Sequence, residues 1–344
     1  MAHRNTKMRA TILGLAILIC SMFGFSQVQA LTLTPVRLEI SGNPGETLNK
    51  EMTLINERQT AETYYVSYAN FEARGDSGTP TFIEAKDGLG TWISTEQSVF
   101  IAPGTSKIIP IKITIPRNAE PGGYFGAIFW GTEPKTNNPG EVAIGAKTGM
   151  LVLLSVKGDV KVSGGILSYD TKDAKHFYES LPISFSYSFK NDGGDRIKPE
   201  GNIVIRNMLG LKSKVVPANT VEGNILPTQI RHFETAWMAS GKDAVTKKSD
   251  IHGFFNNALY EWHNFALGRY SATLDLAYGA NGQKATAKIS FWVLPWQFLI
   301  LFFISLFIII FIVRKGLKSY NNYVINQAHK RILKESGSIH DSLN

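Results

Sequence analysis

The sequence predicts a mainly β protein, two tandem immunoglobulin-like β-sandwiches followed by a single transmembrane helix. Three observations carry this. Short runs of alternating apolar residues, broken by Gly, Pro and Asn at nearly regular intervals, fill residues 31–294. One of them, Ile109, Ile111, Ile113 and Ile115, is apolar at every second position, a period that no helix face has. Near the C-terminus the uncharged run Pro295 to Val313 is 19 residues long, which at about 1.5 Å per residue reaches roughly 28 Å, enough for a hydrocarbon core.

A chain of 344 residues, 44% hydrophobic and 19% charged, has room for two globular domains plus targeting segments. Its formal charge of +8 is concentrated at the ends: Arg4, Lys7 and Arg9 at the start, and Arg314, Lys315, Lys318, Lys330, Arg331 and Lys334 against Glu335 and Asp341 in the tail. The body between is close to neutral. A nucleic-acid partner is therefore not expected, because phosphate affinity needs several Lys and Arg on one surface.

Residues 1–30 read as a signal peptide, with a basic start, a mainly apolar stretch from Ala10 to Phe25, and Val28 and Ala30 as the small residues before cleavage. An uncleaved anchor is the competing reading, but the apolar stretch is short for a full span. Cys20 is the single cysteine and would leave with the signal, so the exported chain relies on apolar burial without disulfides.

The first sandwich is placed at residues 31–158. Leu48, Met52 and Leu54 share one strand face, Tyr64, Val66 and Tyr68 another, and the Ile109 strand is launched by the Ala102-Pro103-Gly104 turn. The Pro121-Gly122-Gly123 turn leads into Tyr124 to Trp130, and Met150 to Val156 returns through the core. The second sandwich is placed at residues 159–294. Ile183, Phe185, Tyr187 and Phe189 alternate into an Asn191-Asp192-Gly193-Gly194 turn, Ile203 and Ile205 precede a loop through Pro217, and Tyr270 to Tyr278 and Lys284 to Val293 flank a Gly-rich hairpin turn. An insertion at residues 239–267 contains a helical stretch over 249–266.

The membrane helix is placed at residues 295–313, with Trp292 and Trp296 at one interface and Arg314 and Lys315 closing the other. The positive-inside rule puts the basic tail, residues 314–344, in the cytoplasm and residues 31–294 outside. Leu317 to Leu333 reads either as a basic amphipathic helix on headgroups or as a solvated tail. Because the last strand runs straight into the span, the preceding antiparallel strand starts at the membrane end, and the insertion before it is membrane-proximal. Its Phe254, Phe255 and Trp262, near Lys242, Lys247 and Lys248, suit a lipid interface. The alternative is that these rings cap the open end of the sandwich core.

The layout resembles the bacterial WxL-interacting surface proteins. The resemblance is carried by the opening strand Leu33 to Ile40, Pro44-Gly45-Glu46-Thr47, Asn56, Ala102-Pro103-Gly104-Thr105, and Ile115-Pro116 through Pro121-Gly122-Gly123-Tyr124-Phe125-Gly126-Ala127-Ile128, and it covers residues 31–156. It implies a peptidoglycan-binding-type first sandwich and a partner-binding second one.

No chemistry stands out beside this. His176, His232, His252 and His263 lack zinc-site spacing, and Asp192 and Asp195 lack the regular acids of a calcium loop and read as a capped turn. Ser155 and Ser186 have no nucleophile elbow, and Gly122-Gly123 and Gly164-Gly165 are not phosphate loops. No catalytic residue, metal or cofactor is expected. The function expected is a non-catalytic, membrane-anchored surface protein binding a cell-wall polymer or another surface protein, through sheet edges or loops such as Arg74 to Pro80 and Thr132 to Gly140. The alternative is a membrane-tethered chaperone or assembly factor for exported subunits, which Arg37 in the opening strand keeps open.

Overall fold

The structure, a computed structural model, describes residues 31–132, 147–239 and 251–341, with the backbone alone for 251–252 and 328–341. The expected signal peptide, most of the Thr132–Gly140 loop, and Lys242, Lys247 and Lys248 lie outside the described residues. The chain divides into two units, Met1–Ala73 with Pro80–Lys161 and Arg74–Thr79 with Val162–Asn344.

The first unit runs β1 (Leu31–Thr34), β2 (Arg37–Gly42), β3 (Thr47–Asn56), β4 (Glu62–Arg74), β5 (Thr79–Glu84), a helical turn α1 (Leu89–Trp92), β6 (Ile93–Ser94), β7 (Ser98–Ile101), β8 (Ser106–Thr114), β9 (Gly122–Gly131) and β10 (Lys147–Val156). These form one sheet in the order β1-β3-β8-β6 and a second in the order β2-β10-β9-β4-β5, with β7 also on β4. Period-2 burial decides which faces meet. Ile109, Ile111 and Ile113 of β8 are buried while Lys112 points out, and they share a core with Ile128, Trp130, Met150, Val152 and Leu154. The indole of Trp130 donates to the Met52 sulfur at 3.3 Å inside that core.

The expected single opening strand is two strands. Pro35, which has no N–H to give a ladder, stands between them. β1 pairs antiparallel with β3 in one sheet, and β2 pairs parallel with β10 in the other. One segment thus ties the two sheets together.

The second unit contains β11 (Gly164–Thr171), β12 (Phe177–Tyr178), β13 (Ile183–Asn191), β14 (Glu200–Arg206), β15 (Lys212–Pro217), β16 (Ile230–Trp237), α2 (Ile251–His263), β17 (Gly268–Tyr278), β18 (Gln283–Val293) and α3 (Trp296–Asp341). Its sheets are β11-β13-β16 and β12-β18-β17-β14-β15. Ile183, Phe185, Tyr187 and Phe189 are fully buried against Ile203, Ile205, Leu274 and Phe291. The segment expected as a loop through Pro217 holds the edge strand β15. Lys212 and Lys214 on it are exposed, a composition that hides a strand from hydrophobic pattern while guarding an open edge.

Each unit carries the same local device at the end of a core strand. Asn56, fully buried, donates from Nδ2 to the carbonyls of Thr60 at 2.9 Å and Ile101 at 3.0 Å, and its Oδ1 accepts from the Arg58 amide and the Tyr64 hydroxyl. Asn191, also fully buried, donates to the carbonyls of Asp195 at 2.7 Å and Ile225 at 2.9 Å and accepts the Gly193 amide at 2.8 Å. One amide side chain in each unit satisfies backbone groups of its own turn and of a neighbouring segment, which is how a turn can be buried without loss.

The backbone of α3 stays helical through Arg314 and Lys315 to Asp341, without a break where the span was expected to end. Within its Trp296–Gln327 portion the most apolar 18-residue stretch has a mean hydropathy of 2.9 and none of it is buried, so among the described residues this is one helix long and apolar enough to cross a membrane.

Candidate functional site

Among the described residues, two regions gather apolar side chains outside the sandwich cores. The first is the helix pair where the second unit meets α3. Along α2, Ala258, Asn257 and Glu261 are buried on one side, and the Tyr260 hydroxyl donates to the Leu181 carbonyl at 3.2 Å. Helical spacing then turns Phe255, Leu259 and Trp262 to the other side, where all three are exposed. The core cluster of the second unit includes Ala266 and Tyr270 but none of Phe254, Phe255 and Trp262. Asn257, Tyr260 and Glu261 thus stand on the sheltered side of α2, and Phe255, Leu259 and Trp262 face away from it.

Those rings meet the start of α3. Phe254 lies 5.9 Å from Trp296, and Trp262 and Phe265 lie 5.2 and 5.6 Å from Phe298. A groove of about 520 Å³ runs between the helices, lined by Phe255, Leu259, Trp262, Phe298, Leu301 and Phe302. The buried Glu261 carboxyl oxygen accepts the Phe298 N–H at 2.8 Å. Pro295 precedes the helix and has no side-chain acceptor, so a carboxylate from another helix caps an otherwise orphaned amide in the first turn. Trp292 is exposed on β18 and Trp296 is partly exposed at the head of α3. Arg314 and Lys315 are exposed on α3, about 27 Å further along its axis.

The second region is the outer face of the larger sheet in the first unit. Phe125, Ala127 and Phe129 of β9 stand opposite Leu153, Leu151 and Gly149 of β10, pointing away from the core. Phe82 of β5 reaches over them, 4.9 Å from Phe129 and 6.2 Å from Phe71, which lies 5.9 Å from Phe125. The sheet is therefore apolar on both faces, a feature of sheets covered on both sides. At its margin Arg37 is ion-paired to Glu39 at 2.9 Å, on residues that register with Leu151 and Leu153. β2 pairs with Leu151–Val156, so among the described residues Lys147–Met150 of β10 is laddered on the β9 side alone. Sequence reasoning missed this face. The signal was the unbroken run Tyr124 to Trp130, apolar at both parities.

Elsewhere the polar groups are spent on structure. Among the described residues no group of three or more His, Cys, Asp or Glu is placed to hold a metal. His232 sits between Ser188 and Glu234, and His263 contacts the Leu259 carbonyl of its own helix. Asp192 pairs with Lys190 at 2.6 Å, and Asp195 takes the Arg196 amide at 2.6 Å, closing the turn after β13.

No family model matches the sequence, and no curated protein does. Among solved structures the chain is similar to the class 5 fimbriae chaperone CfaA, at 11% identity, over 76% of this chain and 99% of that one, with a TM-score of 0.37. It is also similar to the E. coli chaperone DraB, at 11% identity over 77% and 98% of the two chains with a TM-score of 0.31. A third is the CsuC–CsuE chaperone–tip subunit complex of Acinetobacter baumannii, at 11% identity over 59% and 89% with a TM-score of 0.31.

Proposed function

We propose that this chain is a non-catalytic protein anchored by α3 in a membrane, with its sandwiches on the non-cytoplasmic side, and that its first sandwich holds another exported polypeptide as a tethered assembly factor does. The observation that carries the reading is the apolar outer face of the larger sheet, where Phe82 is exposed and Phe125 and Phe129 are half-buried, beside a stretch of β10 that among the described residues is laddered on one side only. A partner strand gains backbone hydrogen bonds from such an edge and side-chain burial from such a face, the two terms of strand addition. A wall sugar would draw little from a row of Phe side chains without polar groups to orient it. The Arg37–Glu39 pair at the margin supplies a charged boundary that sets register more than affinity. For topology, support comes from the basic residues that follow the apolar run at Arg314 and Lys315.

The test is recovery of full-length protein from membranes in mild detergent, comparing the native chain with Phe125→Ser/Phe129→Ser and with Arg37→Ala. One exported protein is expected to copurify in stoichiometric amount with the native chain and to be lost with the double variant while circular dichroism stays unchanged. Retention on purified wall polymer, with no protein bound, would transfer the role to the polymer.

A further inference from the structure

The bilayer-facing end of the second sandwich carries far more exposed apolar surface than the helix pair alone. Strand register identifies that end: Gly268 at the start of β17 pairs with Val293 at the end of β18, two residues before α3. The three steps from Val293 to Trp296 span about 10 Å of extended chain, so whatever bilayer receives α3 lies against this end of the domain.

Four separate elements bring large apolar side chains there. The turn between β14 and β15 presents Met208, Leu209 and Leu211, with Leu209 75% exposed. It belongs to the same end because Arg206 registers with Ser271, and the Met208 sulfur stands 3.3 Å from where a Cβ on Gly268 would be. β12 presents Phe177, 72% exposed and paired with Trp292. The end of β16 presents Met238, next to Trp237, whose ring lies 5.3 Å from Tyr270. α2 and the chain after it present Leu259, Trp262 and Phe265. Away from this end, and leaving out α3, the described part of the second unit exposes only Leu167, Val215, Val221 and Ile230 among large apolar side chains. Exposed apolar residues scattered singly need no explanation, whereas a rim drawn from four elements at one end does.

The β14–β15 turn is built to hold its apolar tip out. Asn207 Oδ1 accepts the amides of Leu209 and Leu211, each at 3.0 Å, and Arg206 Nη1 donates to the Gly210 carbonyl at 3.1 Å. Those bonds fix the backbone and leave no side-chain partner for Leu209. Exposed Arg206, Lys212 and Arg269 flank the tip, the charge that anionic headgroups complement. β15 stands three strands from β18, about 14 Å away, so the tip touches down well to one side of α3.

We propose that this rim is a lipid-binding surface, and that the β14–β15 tip enters the headgroup and acyl boundary of the bilayer, so that the second sandwich is seated on the membrane at several points and not held by α3 alone. The inference rests on the reading that α3 spans the bilayer. Its occupant is phospholipid, because the rim is continuous with the apolar span through Trp292, Leu294 and Trp296.

The test uses the full chain carrying Cys20→Ser, reconstituted in vesicles of phosphatidylcholine and phosphatidylglycerol with brominated acyl chains, and labelled with one environment-sensitive dye at a single new cysteine. Leu209→Cys is the probe, Val221→Cys the control about 20 Å further from the rim on the same unit, and Phe307→Cys the report on α3. Lipid bromine is expected to quench the dye at 209 and at 307 several-fold more than at 221. Quenching at 307 with equal, low values at 209 and 221 would overturn the lipid surface alone. Absence of quenching at 307 would overturn the spanning reading and the seated domain with it.

Discussion

Glu261 Oε2 accepts the Phe298 N–H at 2.8 Å, so a side chain of α2 caps a helix that begins 35 residues later in the sequence. The bond fixes α2 against the first turn of α3 and places a buried acceptor oxygen at the positive end of the helix dipole. Glu261→Ala is expected to cost about 1–2 kcal/mol of local stability, the usual range for a lost cap, and Glu261→Gln less than half of that because an amide oxygen still accepts. Hydrogen exchange in detergent reads it directly. Faster exchange of the α2 amides and of Phe298 in the Ala variant, with the sheets unchanged, is the expected result; equal protection in all three proteins would show the bond to be idle.

Asn56 and Asn191 each satisfy three or more groups from within the core. Substitution by Ala leaves two carbonyls at each site without their donor, and at Asn56 also the Tyr64 hydroxyl without its acceptor. Each variant is expected to lose roughly 2–4 kcal/mol from its own unit. Denaturant unfolding of the full chain in detergent should show one early transition in each single variant. A loss below about 0.5 kcal/mol would mean that the groups find other partners.

These details mark how far the amino-acid pattern reaches. β8, β13 and the β17–β18 hairpin are legible because alternation of Ile, Phe and Leu leaves one face only for the core. β15 is not, since Lys212, Ser213 and Lys214 on an edge carry no apolar signal. Nor is the cap on α3, because nothing in a lone glutamate says which amide it will meet. Of the residues expected at a membrane interface, Phe254, Phe255 and Trp262 fall together with Trp296 and Phe298 on the α2–α3 pair, which the helical spacing predicts. The β14–β15 tip escapes notice because Asn-Met-Leu-Gly-Leu has the glycine of an ordinary turn, and only the strand register shows which end it occupies.

Alkaline pH should weaken the second unit through two buried tyrosines. Burial pushes the phenols of Tyr169 and Tyr187 up, helped at Tyr169 by neighbouring Asp170 and opposed at Tyr187 by Arg231. A group that holds its proton more tightly when folded contributes stability in full below its unfolded pKa, about 10, and loses it as pH rises toward the folded value. Thermal midpoints of the second unit are thus expected to be flat to about pH 10 and to fall above it, less steeply in Tyr187→Phe. Phenolate absorbance of the 12 tyrosines should lag in a buried fraction until unfolding. Simultaneous ionisation of all of them near the ordinary value, with the fold intact, would contradict it.

Gly201 tests the packing of β14 on β17 most sharply. Its φ is +156°, and a Cβ there would strike the backbone carbonyl of Asp275, on the residue paired with Asn202. Its own carbonyl meanwhile accepts the Ala218 amide at 3.0 Å, so the strand has no freedom to move outward without losing β15. Gly201→Ala is expected to cost about 3 kcal/mol or more, from strain and overlap together. Gly165→Ala, on β11 with open space around it, is the comparison, expected to stay within about 1 kcal/mol of the native chain. Denaturant midpoints that shift equally for the two would mean that β14 is held less closely to β17 than the register implies, and the β14–β15 tip would then have no fixed place at the end of the sheet.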